Sequence, residues 1–418
     1  MADPLRQPRI AVFLTAEALS AVGAWATLIA IWGYAAFEFD ASATDVSIFG
    51  LAFGLPGILL GPLAGAAVDR FGPKATLAAA KSLGVVAALL LLLADDFLTL
   101  GLLSTLHGIA HTFSLPALQA LPPRMVDDTH LARTNALVSL TDEVAIVLGP
   151  VVGAGAIALT SFQGAFVVDA ITYAIGLAAL PLVRLRPIAA DAAGSDGESE
   201  GPARVMDGWR RIRRTPMLRR VVASTALVHL LYGAALLVEP LYVRDVLGRS
   251  EQVFAALQTV FGVALVAGGL LVTRAGERLA NFRVVTAGVA GSGVAAFVYL
   301  GTPWLWAATV GVIMWGFVTA LMGGPSRTVI QRAAHETEHG RVLAADLMAG
   351  SAAEVVGVAT LGFVVDALGI RTAVGILAAA IVAGAVALWV SDARDARSGA
   401  PPSPGPADAD AVSMPNEL

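Results

Sequence analysis

Residues 61–74 read GPLAGAAVDRFGPK, and the fold follows from how this stretch ends one apolar run and starts another. Gly61 and Gly65 lie four residues apart on one helix face, a small-xxx-small pair that lets a neighbouring helix come close. Asp69, Arg70 and Lys74 follow at once, with Gly72 between them, and put charge where an apolar helix would leave a membrane. The run before them, Val46 to Val68, is long enough to cross a hydrocarbon core of roughly 30 Å at about 1.5 Å per residue.

The same pattern recurs along the chain. Apolar runs fall near 10–37, 44–68, 75–94, 97–118, 136–160 and 163–183, and again near 220–243, 253–273, 283–300, 303–325, 343–368 and 372–391. Hydrophobic residues make up 57% of the 418 and charged residues 14%, a balance that needs lipid as solvent. The expected fold is all-α and integral to a membrane, with twelve spans.

Two sixes are implied by a weak repeat. GLLVTRAGERLA starts at Gly269, about 208 residues after Gly61, so that Glu277-Arg278 falls on Asp69-Arg70. Pro116 and Pro325 each precede a polar connector and then a helix with one acid, Glu143 or Glu354. This divides the chain into an N-terminal segment 1–9, a bundle 10–186, a linker 187–219, a bundle 220–391 and a disordered tail 392–418. The linker opens as IAADAAGSDGESEGPA and closes as WRRIRRTPMLRR, whose Arg and Trp suit an interface with anionic lipid.

Connections alternate in charge. Arg6, Arg9, Arg70, Lys74, Arg124, Arg133, Arg274, Arg278 and Arg283 fall on one side; Glu38, Asp40, Asp45, Asp95 and Asp96 fall on the other. The positive-inside rule then puts both termini and the linker in the cytoplasm of a multi-pass cell-membrane protein. The first apolar run exceeds a signal-peptide core and reads as a retained span. A net charge of −5, with the basic residues confined to loops, argues against nucleic-acid binding. The absence of cysteine excludes disulfides, thiolate nucleophiles and Cys-based metal sites.

GPLAGAAVDRFGPK resembles motif A of the major facilitator superfamily, and LGPVVGAG, residues 148–155, resembles its antiporter-associated motif C. In the latter, Gly149, Pro150 and Gly153 predict a bend or a close helix contact. With the connector PALQALPPRMVDDTHLARTNAL, 116–137, the resemblance points to the bacterial macrolide and siderophore exporters. It implies a carrier and not an enzyme: a monomer that exports a small amphipathic compound by alternating access, driven by proton entry and needing no cofactor. An importer of the same fold is the alternative. Motif A would form ion pairs that favour the outward-facing state. Two positions depart from the family: Ser104 stands four before Gly108, where drug exporters often carry Arg, and Ala24 follows Gly23, where this branch often has an acid.

Charged groups inside spans are costly and therefore functional candidates. Glu17 leads: with no basic residue near it in sequence it reads as a proton-coupling or cationic-substrate carboxyl, or else as a protonated or hydrogen-bonded structural acid; Glu143, Asp169, Glu239 and Glu354 follow as further proton-coupling or substrate candidates. Trp25, Trp32 and Trp315 could line a cavity. His107 and His111 are one turn apart but have no adjacent acid in sequence, and like His229 read as cavity or packing residues. His-Glu-Thr-Glu-His at 335–339 matches two zinc-protease patterns, which gives an enzyme alternative, yet it lies in a polar connector without a clear third ligand. No metal is expected.

Overall fold

The structure, a computed structural model, describes residues 7–185, 202–279, 281–334 and 338–397. Among them are fourteen α-helices: α1 Pro8–Phe37, α2 Ala43–Phe71, α3 Pro73–Leu91, α4 Phe97–Gln119, α5 Pro122–Met125, α6 Asp128–Leu159, α7 Phe162–Ala179, α8 Pro202–Arg214, α9 Pro216–Leu241, α10 Glu251–Ala275, α11 Phe282–Leu300, α12 Leu305–Ala333, α13 His339–Leu368 and α14 Ile370–Arg397. Short α5 and the linker helix α8 aside, twelve helices remain, in two bundles of six. Ten are long and apolar enough to cross a membrane. In α4 the apolar pattern is diluted by Ser104, His107, His111 and Ser114, and the first half of α6 is polar.

Within the first bundle α1 packs on α6 and α7, and α3 on α4 and α7; within the second α9 packs on α13, and α12 on α10 and α11. The seam between bundles is made by α2 with α13 and by α6 with α10. Helical order extends past the boundaries read from sequence: α8 lies inside the linker, α9 begins at Pro216, and α14 runs to Arg397. The extension of α14 has a cause in Arg220, whose guanidinium bonds Asp392 at 3.0 Å and also Asp395. Residues 1–6, 186–201 (which include the first part of the linker), 280, 335–337 and 398–418 lie outside the described residues.

The face with Pro8 and Arg397 is called here the chain-end face, and the other the distal face. Local signals fix the helix ends. Ser42 and Asp45 form a reciprocal capping box at the start of α2, Asp96 caps α4, and Asn281 caps α11. Gly72 ends α2 at φ 83°, a left-handed conformation that only glycine adopts cheaply, and Pro73 opens α3. Gly369 does the same between α13 and α14, at φ 80°.

The seam is shut on the distal side and open on the other. Near the distal face a Cβ on Gly362 would stand 2.0 Å from Ser47 Oγ, and one on Gly50 2.8 Å from Val358. Toward the chain-end face, Gly61 and Gly65 have nothing within 4 Å of such a Cβ. Among the described residues the close helix contact expected at this glycine pair is therefore not made, and Leu63 on α2 and Leu347 on α13 are exposed.

Candidate functional site

Inside the first bundle, four helices bring ionisable side chains to one buried place. α1 supplies Glu17, α3 Lys81, α4 His107 and His111, and α7 Asp169 and Tyr173. Lys81 Nζ lies 2.8 Å from Glu17 Oε2 and donates to Ser20 Oγ at 2.8 Å, with the Tyr173 ring centroid 5.2 Å away. Glu17 and Lys81 are almost wholly buried. No basic residue lies near Glu17 in sequence; its partner comes from a helix more than sixty residues away, so sequence proximity could not reveal it.

A second pair stands beside the first. His107 Nε2 is 3.7 Å from Asp169 Oδ2, both groups are buried, and both Asp169 oxygens and His107 Nδ1 lack hydrogen-bond partners. Tyr173 separates the two pairs, meeting the His107 ring edge-on at 5.7 Å. Small residues make the arrangement possible. A Cβ on Gly23 would sit 2.0 Å from Thr172 Oγ1 and 3.0 Å from Asp169 Oδ1, and one on Gly84 2.7 Å from the Tyr173 ring. A cavity of about 60 Å³, room for about two waters, touches Glu17, Lys81, His111, Ser114, Tyr173 and Trp25. Glu17 Oε1 and Ser114 Oγ are buried and unpaired.

The other sequence candidates separate from this cluster. Glu354 on α13 faces His229 on α9, with Oε2 and Nδ1 3.4 Å apart and both side chains half-exposed. Glu239 bonds Gln258 across α9 and α10. Glu143 belongs to α6, and its side chain lies outside what is described. Trp25 borders this small cavity within the first bundle. Trp32 and Trp315 do not: Trp32 packs edge-on to Phe49, and Trp315 to Tyr232 and Tyr299, both buried in aromatic core. Bulk and planarity serve packing better there than a wet wall.

Gly149 and Gly153 lie where α6 crosses α1, their Cβ positions 2.3 Å from Trp25 Cβ and 3.1 Å from the Ala26 backbone; Pro150 is buried between them. Asp69 and Arg70 are exposed and form no ion pair among the described residues, while Lys74 donates to the Val183 carbonyl at 2.7 Å. Residues 335–337 of the His-Glu-Thr-Glu-His pattern lie outside the described residues; His339 Nε2 is 2.8 Å from the Gln331 carbonyl.

Two contacts that the sequence reading did not single out bridge the bundles at the distal face. Asp366, near the end of α13, accepts from the Ala43 and Thr44 amides at 3.2 and 2.9 Å, the open start of α2. Arg244, held by a π-helical turn at Tyr242–Val246, pairs with Asp40 at 3.0 Å and donates to the carbonyls of Ala36 and Ala41. One signal could have found Asp366: VDALG at 365–369 repeats the VDRFG of 68–72, and both end on the same glycine turn.

Two six-helix bundles meeting at a seam shut on one side, with ion pairs inside the membrane region, define a membrane carrier. Residues 13–357, and again 221–413, match the Major Facilitator Superfamily. The chain belongs to that family, whose members move small molecules and are carriers, not enzymes. It is similar to the uncharacterized MFS-type transporter YfiS of Bacillus subtilis (strain 168), 21% identical over 89% of this chain and 91% of the relative. A second relative is the uncharacterized MFS-type transporter y4rN of Sinorhizobium fredii (strain NBRC 101917 / NGR234), 24% identical over 74% and 77%. Among solved structures, a bacterial homolog of the human lysosomal transporter Spinster, in an inward-facing and unoccupied conformation, superposes with TM-score 0.68 at 16% identity, covering 93% of this chain and 96% of that one. The nucleoside transporter NupG superposes with TM-score 0.65 at 14% identity, over 93% and 99%. These likenesses establish the fold.

Proposed function

We propose that this protein is a proton-coupled exporter of a small amphipathic organic compound, working as a monomer in the cell membrane with both chain ends in the cytoplasm. The observation that carries the reading is the buried Lys81–Glu17 ion pair with the Asp169–His107 contact beside it in the first bundle. Two carboxylates, Glu17 and Asp169, stand near one lysine, and the fixed charge of Lys81 answers only one of them. The second carboxylate needs a proton, on itself or on His107, because an isolated charge there costs several kcal/mol. A site that holds one proton in one conformation and releases it in another is what coupling requires.

The positions left vacant by the family's usual residues support the same assignment. Ser104 takes the place of an arginine in α4, while Lys81 brings a cation to the same interior from α3. The proton gradient is the energy source, and neither a cofactor nor a metal enters the cycle. The seam open on the chain-end side corresponds to an inward-facing state, in which motif A is expected to be unpaired. In the outward-facing state Asp69 and Arg70 would meet the second bundle. Motif C and the packing of Gly149 and Gly153 on α1 favour export over import.

The test is substrate-dependent proton flux in proteoliposomes under an imposed pH gradient, across amphipathic cations and antibiotics, for the wild type, Glu17→Gln and Asp169→Asn. Flux lost in both variants supports the reading. Substrate movement without proton flux in the wild type rejects it.

A further inference from the structure

The outer wall of the second bundle holds a cavity that transport does not use. Between α9, α13 and α14 lies a groove of about 690 Å³, bordered by Ala223, Ala226, Ala353, Val356, Gly384 and Ala387. Its lining is wholly apolar, and small side chains set its depth: Gly384 leaves room for Leu227, whose Cδ1 would stand 2.8 Å from a Cβ added there. The groove lies on the side of α9 and α13 away from His229 and Glu354, so it opens toward the bilayer and not toward the seam.

A second cavity, part apolar and part polar, adjoins the groove. Ala387 borders both, and the second continues along α14 past Val390 to Ser391, Arg394 and Asp395, with a volume of about 530 Å³. Helical spacing puts Ala387, Ser391 and Arg394 on one face. On α9 the same spacing places Arg219 on the face of Ala223, Ala226 and Leu230, one turn nearer the chain-end face. Arginines therefore stand at the chain-end mouth of an apolar trough, on two of the helices that wall it.

Charge decides what fits. The acids at this mouth, Asp392 and Asp395, are both engaged by Arg220. Among the described residues, exposed Arg219 bonds the neutral Arg213 carbonyl and has no ion pair, and exposed Arg394 has none either. Arg213 and Arg214 of α8, also exposed, add to the positive field. Guanidinium groups pair well with phosphate oxygens, in a planar, two-pronged geometry.

We infer that this composite groove is a binding site for one anionic glycerophospholipid, its acyl chain between α9, α13 and α14 and its phosphate on Arg219 and Arg394. The site rests on the membrane-spanning fold and the charges at one of its faces, and is independent of whether the protein exports or imports. Its occupant belongs to the leaflet at the chain-end face, where the linker helix also lies. Helices α9 and α13 carry His229 and Glu354 on their other sides, so a lipid seated here braces the wall of the transport path from behind.

The experiment is native mass spectrometry of the full chain, purified in detergent, delipidated, and then titrated with phosphatidylglycerol or phosphatidylethanolamine of equal chain length. The wild type is expected to retain one phosphatidylglycerol in preference to phosphatidylethanolamine. Losing two surface guanidinium groups in Arg219→Gln/Arg394→Gln should weaken that retention about tenfold or more. Filling the trough in Ala226→Phe should abolish it with the arginines intact. Equal retention of both lipids, or unchanged retention in the double arginine variant, would overturn the inference. Both arginines are exposed, so that variant should fold; circular dichroism and an unchanged elution volume verify it. Substrate movement without proton flux in the wild type, with lipid retention intact, would count against the transport reading alone.

Discussion

Asp366 ties the second bundle to the first through the start of α2, and removing its carboxylate should open the distal side. Its two bonds run to the amides of Ala43 and Thr44, at 3.2 and 2.9 Å, where a helix leaves its first N–H groups unpaired. A carboxylate there gains from both hydrogen bonding and the helix dipole, together about 2 kcal/mol in a sheltered site. Asp366 is exposed, so solvent screening reduces this to about 1 kcal/mol. The contact spans the seam, so its energy belongs to the distal-shut state alone, and Asp366→Ala should shift the conformer ratio about fivefold toward the distal-open state. The chain has no cysteine, so spin labels at Leu98→Cys and Trp304→Cys, exposed positions on the two bundles at the distal face, report the change cleanly. Double electron–electron resonance should show a longer-distance population growing in Asp366→Ala and growing less in Asp366→Asn, which keeps an acceptor. A distribution unchanged within twofold would refute the argument and leave Asp366 a bystander to the intact Ser42–Asp45 cap.

Other outcomes follow from the same geometry. Arg244→Ala removes the second distal bridge and should move the same distance distribution in the same direction, adding to the Asp366→Ala effect because the contacts are separate. Lys81→Met leaves Glu17 buried without its cation and should destabilise the protein by about 3–5 kcal/mol, read as a lowered midpoint of thermal unfolding in detergent. Lys81→Met/Glu17→Gln should recover most of that loss, and failure to recover would show that the ion pair is not what holds the four helices. Gly23→Val drives a side chain into Thr172 and Asp169 and should cost about 1–3 kcal/mol. Gly61→Val meets nothing within 4 Å in this state, so unfolding should change by less than about 0.5 kcal/mol while transport falls, because the opposite state must close there.

The membrane class was legible in sequence because lipid imposes a constraint that ten of the twelve helices satisfy alone, about twenty apolar residues with charge at the ends, while polar residues dilute it in α4 and in the first half of α6. The glycine turn at Gly72 and the cap at Ser42 are local, each involving residues within four positions, although the sequence reading did not single them out. The resemblance at 61–74 found the family, although not the packing of Gly61 and Gly65, which depends on which conformation the bundles adopt.

What tertiary structure alone decided is who stands beside whom. Glu17 reads as a solitary acid in its own helix and becomes half of an ion pair when α3 delivers Lys81; Asp169 and His107 meet only when α7 packs near α4. Trp32 and Trp315 look the same as Trp25 in sequence, yet Trp25 borders the cavity beside Glu17 while the other two pack in aromatic core. Hydropathy is a sum over one helix and can be read from its residues, whereas the cost of a buried charge depends on its neighbours at 3 to 4 Å, and those are chosen by helix packing.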